Sequence, residues 1–289
     1  MIDLLRYKKY LPYRSVYPFI IVIGTGGTGG YLVQHIAQMM STFNVQGQLL
    51  VADPDIVEEK NLKNQLFTKR DIGKKKANVL ADRYRRAYQI PIRSYSEGYI
   101  EDVESLKNLF NLDYLGVGIH SYHTLYLPVI IGAVDNNFTR QVIHQFFEST
   151  SRCLYIDVGN ESATVPSDYP ERRKEEWTQQ ERQAYDESGW IGQVICGLKF
   201  DGETILPPVG EVFPDVLADK DDIAPSQISC SDLTASDPQR VLTNKMASMS
   251  VLPYLNSFME EGVLYHSITF FNAQKGYINS QEIPNKREE

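Results

Sequence analysis

The sequence predicts an α/β protein: a doubly wound, mostly parallel sheet with an antiparallel extension at the C-terminal end. Three observations carry that expectation. Apolar runs of strand type alternate five times with helical stretches between residues 18 and 160. A turn with five glycines, within VIGTGGTGGYL at 22–32, joins the first run to the first helix. Beyond residue 160 the alternation stops, and the chain closes on a hairpin pattern around Lys275 and Gly276.

The elements follow in order. PFIIVIG (18–24) is continuous, β-branched and ended by glycine, as a strand buried on both faces should be. Leu32, Val33, Ile36, Ala37 and Met40 then recur at helical spacing. GQLLVAD (47–53) is a second buried strand, and Ala77, Leu80, Ala81, Tyr84 and Tyr88 mark one face of the next helix. IPIRSYSEGY (90–99), PVIIGAVD (128–135) and CLYIDVGN (153–160) supply three more strands, with helices expected at 101–110 and 138–150. Residues 170–188 are charged and weakly periodic, an exposed helix or mobile insertion. GQVICGLKF (192–200) returns to strand, and 201–238 reads as a long mobile loop. An apolar helical stripe at 238–262 is expected to break at Pro253. One domain over 1–289 is expected, with a nucleotide-binding core at 15–160, an insertion and loop at 161–238, and a C-terminal helix and hairpin at 239–289.

Composition narrows the function classes. Hydrophobic residues at 42% and charged residues at 23% are those of a soluble globular protein. The net charge of −8 argues against a general affinity for nucleic acid. No apolar run approaches a membrane span and the N-terminus lacks a signal-peptide core, so a cytoplasmic protein without a membrane partner is expected. Cys153, Cys196 and Cys230 are too scattered for a disulfide framework, and no CxxC pair is present to hold zinc. His120 and His123 form an HxxH without an acidic or thiol partner nearby in sequence.

Gly24, Gly26 and Gly29 satisfy GxGxxG between a strand and a helix, with Gly27 inside the turn. Such a turn brings bare backbone and a helix N-terminus to a nucleotide phosphate, and Asp53 closes the second strand where a carboxylate meets a ribose. No Lys-Ser/Thr follows, so this is not a Walker A loop. The spacing leaves NAD and ATP both open.

DPDIVEEKNLKNQLFTKRDIGKKKANVLA (53–81) separates them. With GAVDNNFTR (132–140) it resembles the ThiF/MoeB/HesA family, bacterial relatives of ubiquitin-activating enzymes. The matching residues are Asp53, Asp55, Asn61, Leu62, Gln65, Gly73, Lys76, Asp135, Asn136 and Arg140. The resemblance covers residues 18–160 well and 190–280 more loosely. The latter part looks like ThiF-family proteins encoded with plasmid-borne PRTRC clusters. The resemblance implies a Rossmann-like homodimer that binds ATP and Mg²⁺. It implies adenylation of the C-terminal carboxylate of a small ubiquitin-like (β-grasp) protein ending in glycine, with release of pyrophosphate. In that scheme Lys76, Asn61 and Asp135 are catalytic, and Asp135 also holds the metal. Gly24, Gly26, Gly27, Gly29, Asp53, Asp55, Asn61, Gln65, Lys76, Asp135 and Asn136 contact the nucleotide.

Each residue also has a plain structural reading. Lys76 stands among Lys74 and Lys75 as an exposed helix start, and Asp135 is placed to cap the following helix. Asn64 stands where the family has an arginine, and it supplies neither charge nor a bidentate fork. Lys63, Lys69 or Arg70, or Arg6 or Arg14 reaching from a partner copy, are the candidates to replace it. Cys230 falls where some compact relatives keep a thioester cysteine, and its plain reading is a loop residue. Three rival functions stay open: adenylation of another carboxylate, on a peptide or a modified tRNA base; a nucleotide-binding scaffold without catalysis; and an NAD-dependent oxidoreductase.

Overall fold

The computed structural model describes residues 1–7, 12–110, 123–219, 224–227 and 238–284. Five parallel strands form one side of a nine-stranded sheet: β2 (Ser15–Ile23), β3 (Gln48–Ala52), β4 (Ile92–Tyr95), β5 (Thr124–Gly132) and β6 (Cys153–Asn160). Their spatial order is β4-β3-β2-β5-β6, so the chain winds outward from β2 in both directions. The direction of winding reverses between β2 and β5. Ligand crevices of doubly wound sheets lie at that place, outside the carboxyl ends of the strands.

Alternation along each strand explains the two cores. Ile20 and Val22 of β2, with Leu49 and Val51 of β3, face helices α1 (Gly29–Thr42) and α2 (Lys76–Tyr88). Phe19, Ile21 and Ile23, with Leu50 and Ala52, face α3 (Val103–Phe110) and α4 (Asn137–Ser149). Each fully buried aliphatic side chain contributes about 1.5–3 kcal/mol, and these strands carry little else.

β7 (Ile191–Phe200) pairs antiparallel with β6, β10 (His266–Asn272) with β7, and β11 (Tyr277–Glu282) with β10. This is the expected antiparallel extension, with Gly276 at φ +69° in the closing turn. A separate short ladder joins β1 (Ile2–Asp3) to β9 (Val263–Leu264).

Two expectations are corrected, and a third is decided between its alternatives. The proposed loop at 201–238 carries β8 (Glu203–Leu206), α6 (Val209–Val212) and α7 (Asp215–Ala218) within its described part. Each is four residues long, too short to show periodicity, and the two helices start directly after Pro208 and Pro214. Of the two alternatives for the charged stretch at 170–188, the exposed helix is the one that forms. This is α5 (Gln179–Glu187), capped by Thr178, with Trp177 buried and Arg172 bridging Asp168 and Glu181. Pro253 leaves α8 (Val241–Glu261) unbroken. The carbonyl deprived of its partner belongs to Met249, on the exposed side of the helix where water reaches it. Among the described residues, no helix is long and apolar enough to cross a membrane.

Candidate active site

Backbone ladders carry the three central strands to one edge. Gly24 donates to the Ala52 carbonyl (2.9 Å), and Ala133 donates to Ile23 (2.9 Å). The loops after β2, β3 and β5 therefore open side by side. Gly24 turns at φ +87°, and a Cβ there would stand 2.6 Å from the Ala133 carbonyl oxygen. A Cβ on Gly29 would meet the Gly24 carbonyl oxygen at 1.9 Å, which fixes glycine at the start of α1. Gly26 is open, with the Gln65 amide the nearest group at 3.8 Å from its Cβ position. The bare face of Gly27 is filled by Asn244 of α8, whose Nδ2 lies 2.0 Å from the Cβ position.

Asp53 is buried and locks the glycine turn. Its Oδ2 accepts from the Thr25 backbone and hydroxyl, both at 2.7 Å, and its Oδ1 accepts from the Asp55 N–H (2.8 Å). Burial raises its carboxyl above the usual range, against the opposing pull of the Lys76 charge. Asp55 carries the other half of the arrangement. Its Oδ2 pairs with Lys76 Nζ (2.9 Å) and its Oδ1 accepts from the Tyr99 hydroxyl (2.7 Å). Burial pushes the Asp55 carboxyl up, but the Lys76 charge, with these hydrogen bonds, more than reverses it. Tyr99 itself is held above its ordinary value by burial and then by the Asp55, Asp53 and Asp135 carboxylates, so its hydroxyl remains a donor. The Lys76 side chain is only 8% exposed, which excludes the reading of a solvated lysine run for this residue.

Asn61 is buried in a single 3₁₀ turn (Glu59–Lys63), where its Oδ1 accepts from the Glu58 N–H (2.8 Å). That bond leaves the amide N–H groups as its available donors. Gln65 follows, its segment held by Arg83, which donates to the Leu66 carbonyl and pairs with Asp71. Asn64 is half-buried, and Lys63, Lys69 and Arg70 are exposed.

After β5, Asp135 is exposed at the mouth. The capping role falls to Asn136 instead, whose Oδ1 accepts from the Thr139 N–H (2.8 Å) at the start of α4. Arg140 braces this loop: Nη2 donates to the Val134 carbonyl (2.7 Å) and Nε to both oxygens of buried Asp157 (3.2 Å each). Tyr155 adds a hydroxyl to Asp157 (2.9 Å).

The remaining candidates lie elsewhere. Cys230 and His120 fall outside the described residues. Cys153 and Cys196 are core residues, and burial pushes both thiols up, Cys196 to about 12. Arg14 precedes the first residue of β2, roughly 30 Å below the turn at ~3.3 Å per residue. Arg6 sits beside β1, whose partner β9 follows the far end of α8. Within one copy, neither arginine reaches the glycine turn.

Sequence reasoning missed Thr25, Tyr99, Asn244 and Asp157. Only Asp157 had a local signal, as a carboxylate inside a buried apolar strand.

Two buried polar atoms around the turn have no hydrogen-bond partner among the described residues: Gln65 Oε1 and Asn244 Nδ2. A buried unpaired polar group is unfavourable unless something else supplies the partner. The Gln65 amide, with its unpaired oxygen, lies near Gly26 and the unpaired Asn244 N–H lies beside Gly27, which suits a polar ligand. For a metal, Asp135 is the exposed carboxylate of the edge. No cluster of three His, Cys, Asp or Glu side chains occurs among the described residues.

The fold and this edge define a class, doubly wound α/β proteins with a glycine-turn crevice at the topological switch point. The family follows from comparison. Residues 16–159 match the model of the ThiF family, and through this segment the chain belongs to it. Ubiquitin-activating enzyme E1 1 of Arabidopsis thaliana is 30% identical over 138 residues, 47% of this chain and 11% of the plant enzyme. The match thus spans about a tenth of that relative's length. E. coli MccB, solved with ATP, superposes with a TM-score of 0.53 at 14% identity, over 92% of this chain and 63% of MccB. The microcin C7 biosynthetic enzyme MccB in complex with N-formylated MccA gives 0.55 at 16%, over 92% and 64%. At such identity the structures support the shared fold.

Proposed function

We propose that this protein binds ATP at the glycine turn and transfers AMP to the C-terminal carboxylate of a small ubiquitin-like protein ending in glycine. One observation carries the reading. The glycine turn, the Asp53–Asp55–Lys76 set and Asp135 share the carboxyl edge of three adjacent strands, within the ThiF-family segment. The reaction is attack of a carboxylate oxygen on the α-phosphorus. A P–O bond forms to the acyl oxygen, the bond to the β-phosphate breaks, and pyrophosphate leaves.

Bringing a carboxylate to a triphosphate concentrates negative charge, so positive and hydrogen-bonding groups must be in place beforehand. Lys76 supplies a nearly desolvated cation, and Asn61 presents amide donors once its oxygen is occupied by Glu58. The N-terminus of α1 adds unpaired N–H groups above the open Gly26. Asp53 keeps one acceptor position on Oδ1 for a ribose hydroxyl, its Oδ2 being filled by Thr25. Asp135 suits Mg²⁺, which takes one or two carboxylates together with phosphate oxygens and neutralises their charge when bound. Gln65 offers its unpaired Oε1 to a hydroxyl or amino group of the nucleotide.

The protein is taken to act as a homodimer in the cytoplasm. The candidates for the charge that Asn64 lacks are Lys63, Lys69 or Arg70 of the same copy, or Arg6 or Arg14 of a partner copy. Cys230 is proposed as acceptor of the activated carboxyl. There its thiolate sulfur displaces AMP from the acyl adenylate to give a thioester. A second reading rests on Asn64: without the family arginine, the chain binds nucleotide as a scaffold and transfers nothing.

ATP–pyrophosphate exchange tests these readings, with three additions compared: none, a Gly-ended β-grasp protein, and a peptide with a free C-terminal carboxylate. Exchange that needs the β-grasp protein supports the main reading. Exchange with the peptide alone moves the substrate class, and ATP binding without exchange supports the scaffold. A thiol-sensitive adduct lost in Cys230→Ala, with exchange intact, supports the thioester; its absence from the unaltered chain removes that step alone.

A further inference from the structure

Tyr99 belongs to none of the motifs, yet its hydroxyl reaches the middle of the site. It donates to Asp55 Oδ1 at 2.7 Å, while Lys76 Nζ holds Oδ2 of the same carboxylate at 2.9 Å. The loop that carries Tyr99 is anchored at both ends. The Tyr95 carbonyl accepts from the Asp53 N–H (3.0 Å), Ile100 is buried, and the Glu101 carboxylate accepts from the Ser226 N–H and hydroxyl (2.7 and 2.9 Å).

Lys76 has a single side-chain partner among the described residues, and it is Asp55. A nucleotide phosphate is the stronger attractor for that ammonium, so binding draws Nζ from one anion to another. Asp55 then loses its paired counter-charge while it stays beside Asp53. The partner that stays is the Tyr99 hydroxyl. Among the other groups near Asp55, Lys75 adds a more distant favourable charge while its Nζ is bonded to the Pro54 carbonyl (2.5 Å), and Asp53 is a like charge.

We propose that Tyr99 is a positioning residue: it holds Asp55 as the resting partner of Lys76 and supports that carboxylate when Lys76 moves to the nucleotide. The inference rests on ATP being the ligand of this site. Its consequence is that the Tyr99–Asp55 hydrogen bond is stronger with nucleotide bound than without.

The test is ATP binding by calorimetry on the full chain, for the unaltered protein, Tyr99→Phe, Asp55→Asn and the double variant. Tyr99→Phe is expected to weaken ATP binding about tenfold, the scale of one hydrogen bond to a charged group. In the Asp55→Asn background the same change has no further effect, because Tyr99 acts through the Asp55 charge. The acid limb of ATP affinity against pH also moves upward in Tyr99→Phe, since Asp55 loses a bond that favours its charged form. Thermal midpoints confirm that the variants are folded. An equal loss from Tyr99→Phe in both backgrounds overturns the proposal, as does undiminished binding by the single variant. An unaltered chain that binds no ATP overturns the proposed function as well, so the two failures are distinguishable.

Discussion

Replacing Arg140 by Met removes the brace of the Asp135 loop while keeping the length of the side chain. Arg140 makes a buried ion pair with Asp157 and single hydrogen bonds to the Val134 carbonyl and the Asn137 side chain. The Asp157 side chain is 1% exposed, and without Arg140 its oxygens keep, among the described residues, only the Tyr155 hydroxyl. Removing one partner of a buried pair costs about 3–5 kcal/mol, because the remaining charge stays desolvated. At about 2–4 °C per kcal/mol for a chain of this size, the thermal midpoint should fall by roughly 6–20 °C. The assay is thermal unfolding of Arg140→Met, Asp157→Leu and the pair together. The double variant should recover most of the loss, since an apolar pair leaves no uncompensated charge. A fall below about 1 kcal/mol in Arg140→Met, within the range of ordinary surface substitutions, would refute the reasoning.

Two further predictions follow from packing and charge. Gly27→Ala places a methyl 2.0 Å from Asn244 Nδ2 and 2.7 Å from its Cγ, pushing α8 from the glycine turn. A loss of about 1–3 kcal/mol is expected, and Gly27→Ala/Asn244→Ala should regain much of it; equal midpoints for unaltered chain and single variant would count against this contact. Burial would raise the Asp71 carboxyl, but two bonds from Thr68 and the Arg83 charge bring it below the usual range. Its stabilising contribution is therefore complete above the unfolded value near ~4 and is lost as pH falls through the lower folded value. Denaturation curves between neutral pH and about pH 2.5 should show a shallower acid decline in Asp71→Asn than in the unaltered chain; parallel declines would contradict it.

The parallel core was legible because a strand buried on both faces must be apolar throughout. PFIIVIG and PVIIGAVD have no other comfortable conformation. Gly24 and Gly29 were legible for a related reason, since close backbone approach leaves no alternative residue. Lys76 was only half legible. Its place in a Lys-Lys-Lys run suggested solvent, and the burial of its ammonium against Asp55 depends on how the loop at 53–57 folds back over α2. Tyr99 and Asn244 were not legible at all. Each meets the site from a distant part of the chain, and no local pattern marks a tyrosine or asparagine that will do so. The structured portion of 201–219 escaped for want of length, since one-turn helices have no period to read.

The central claim is that the carboxyl edge of β2, β3 and β5 activates a protein carboxylate with ATP. Pyrophosphate exchange into ATP, measured with Mg²⁺ and a purified Gly-ended β-grasp protein, tests it most directly. The account predicts exchange that requires the partner's terminal glycine carboxylate and falls at least about a hundredfold in Lys76→Met, the loss expected when one preorganised charge is removed. Exchange that is absent with every carboxylate partner, or that survives Lys76→Met undiminished, would contradict it.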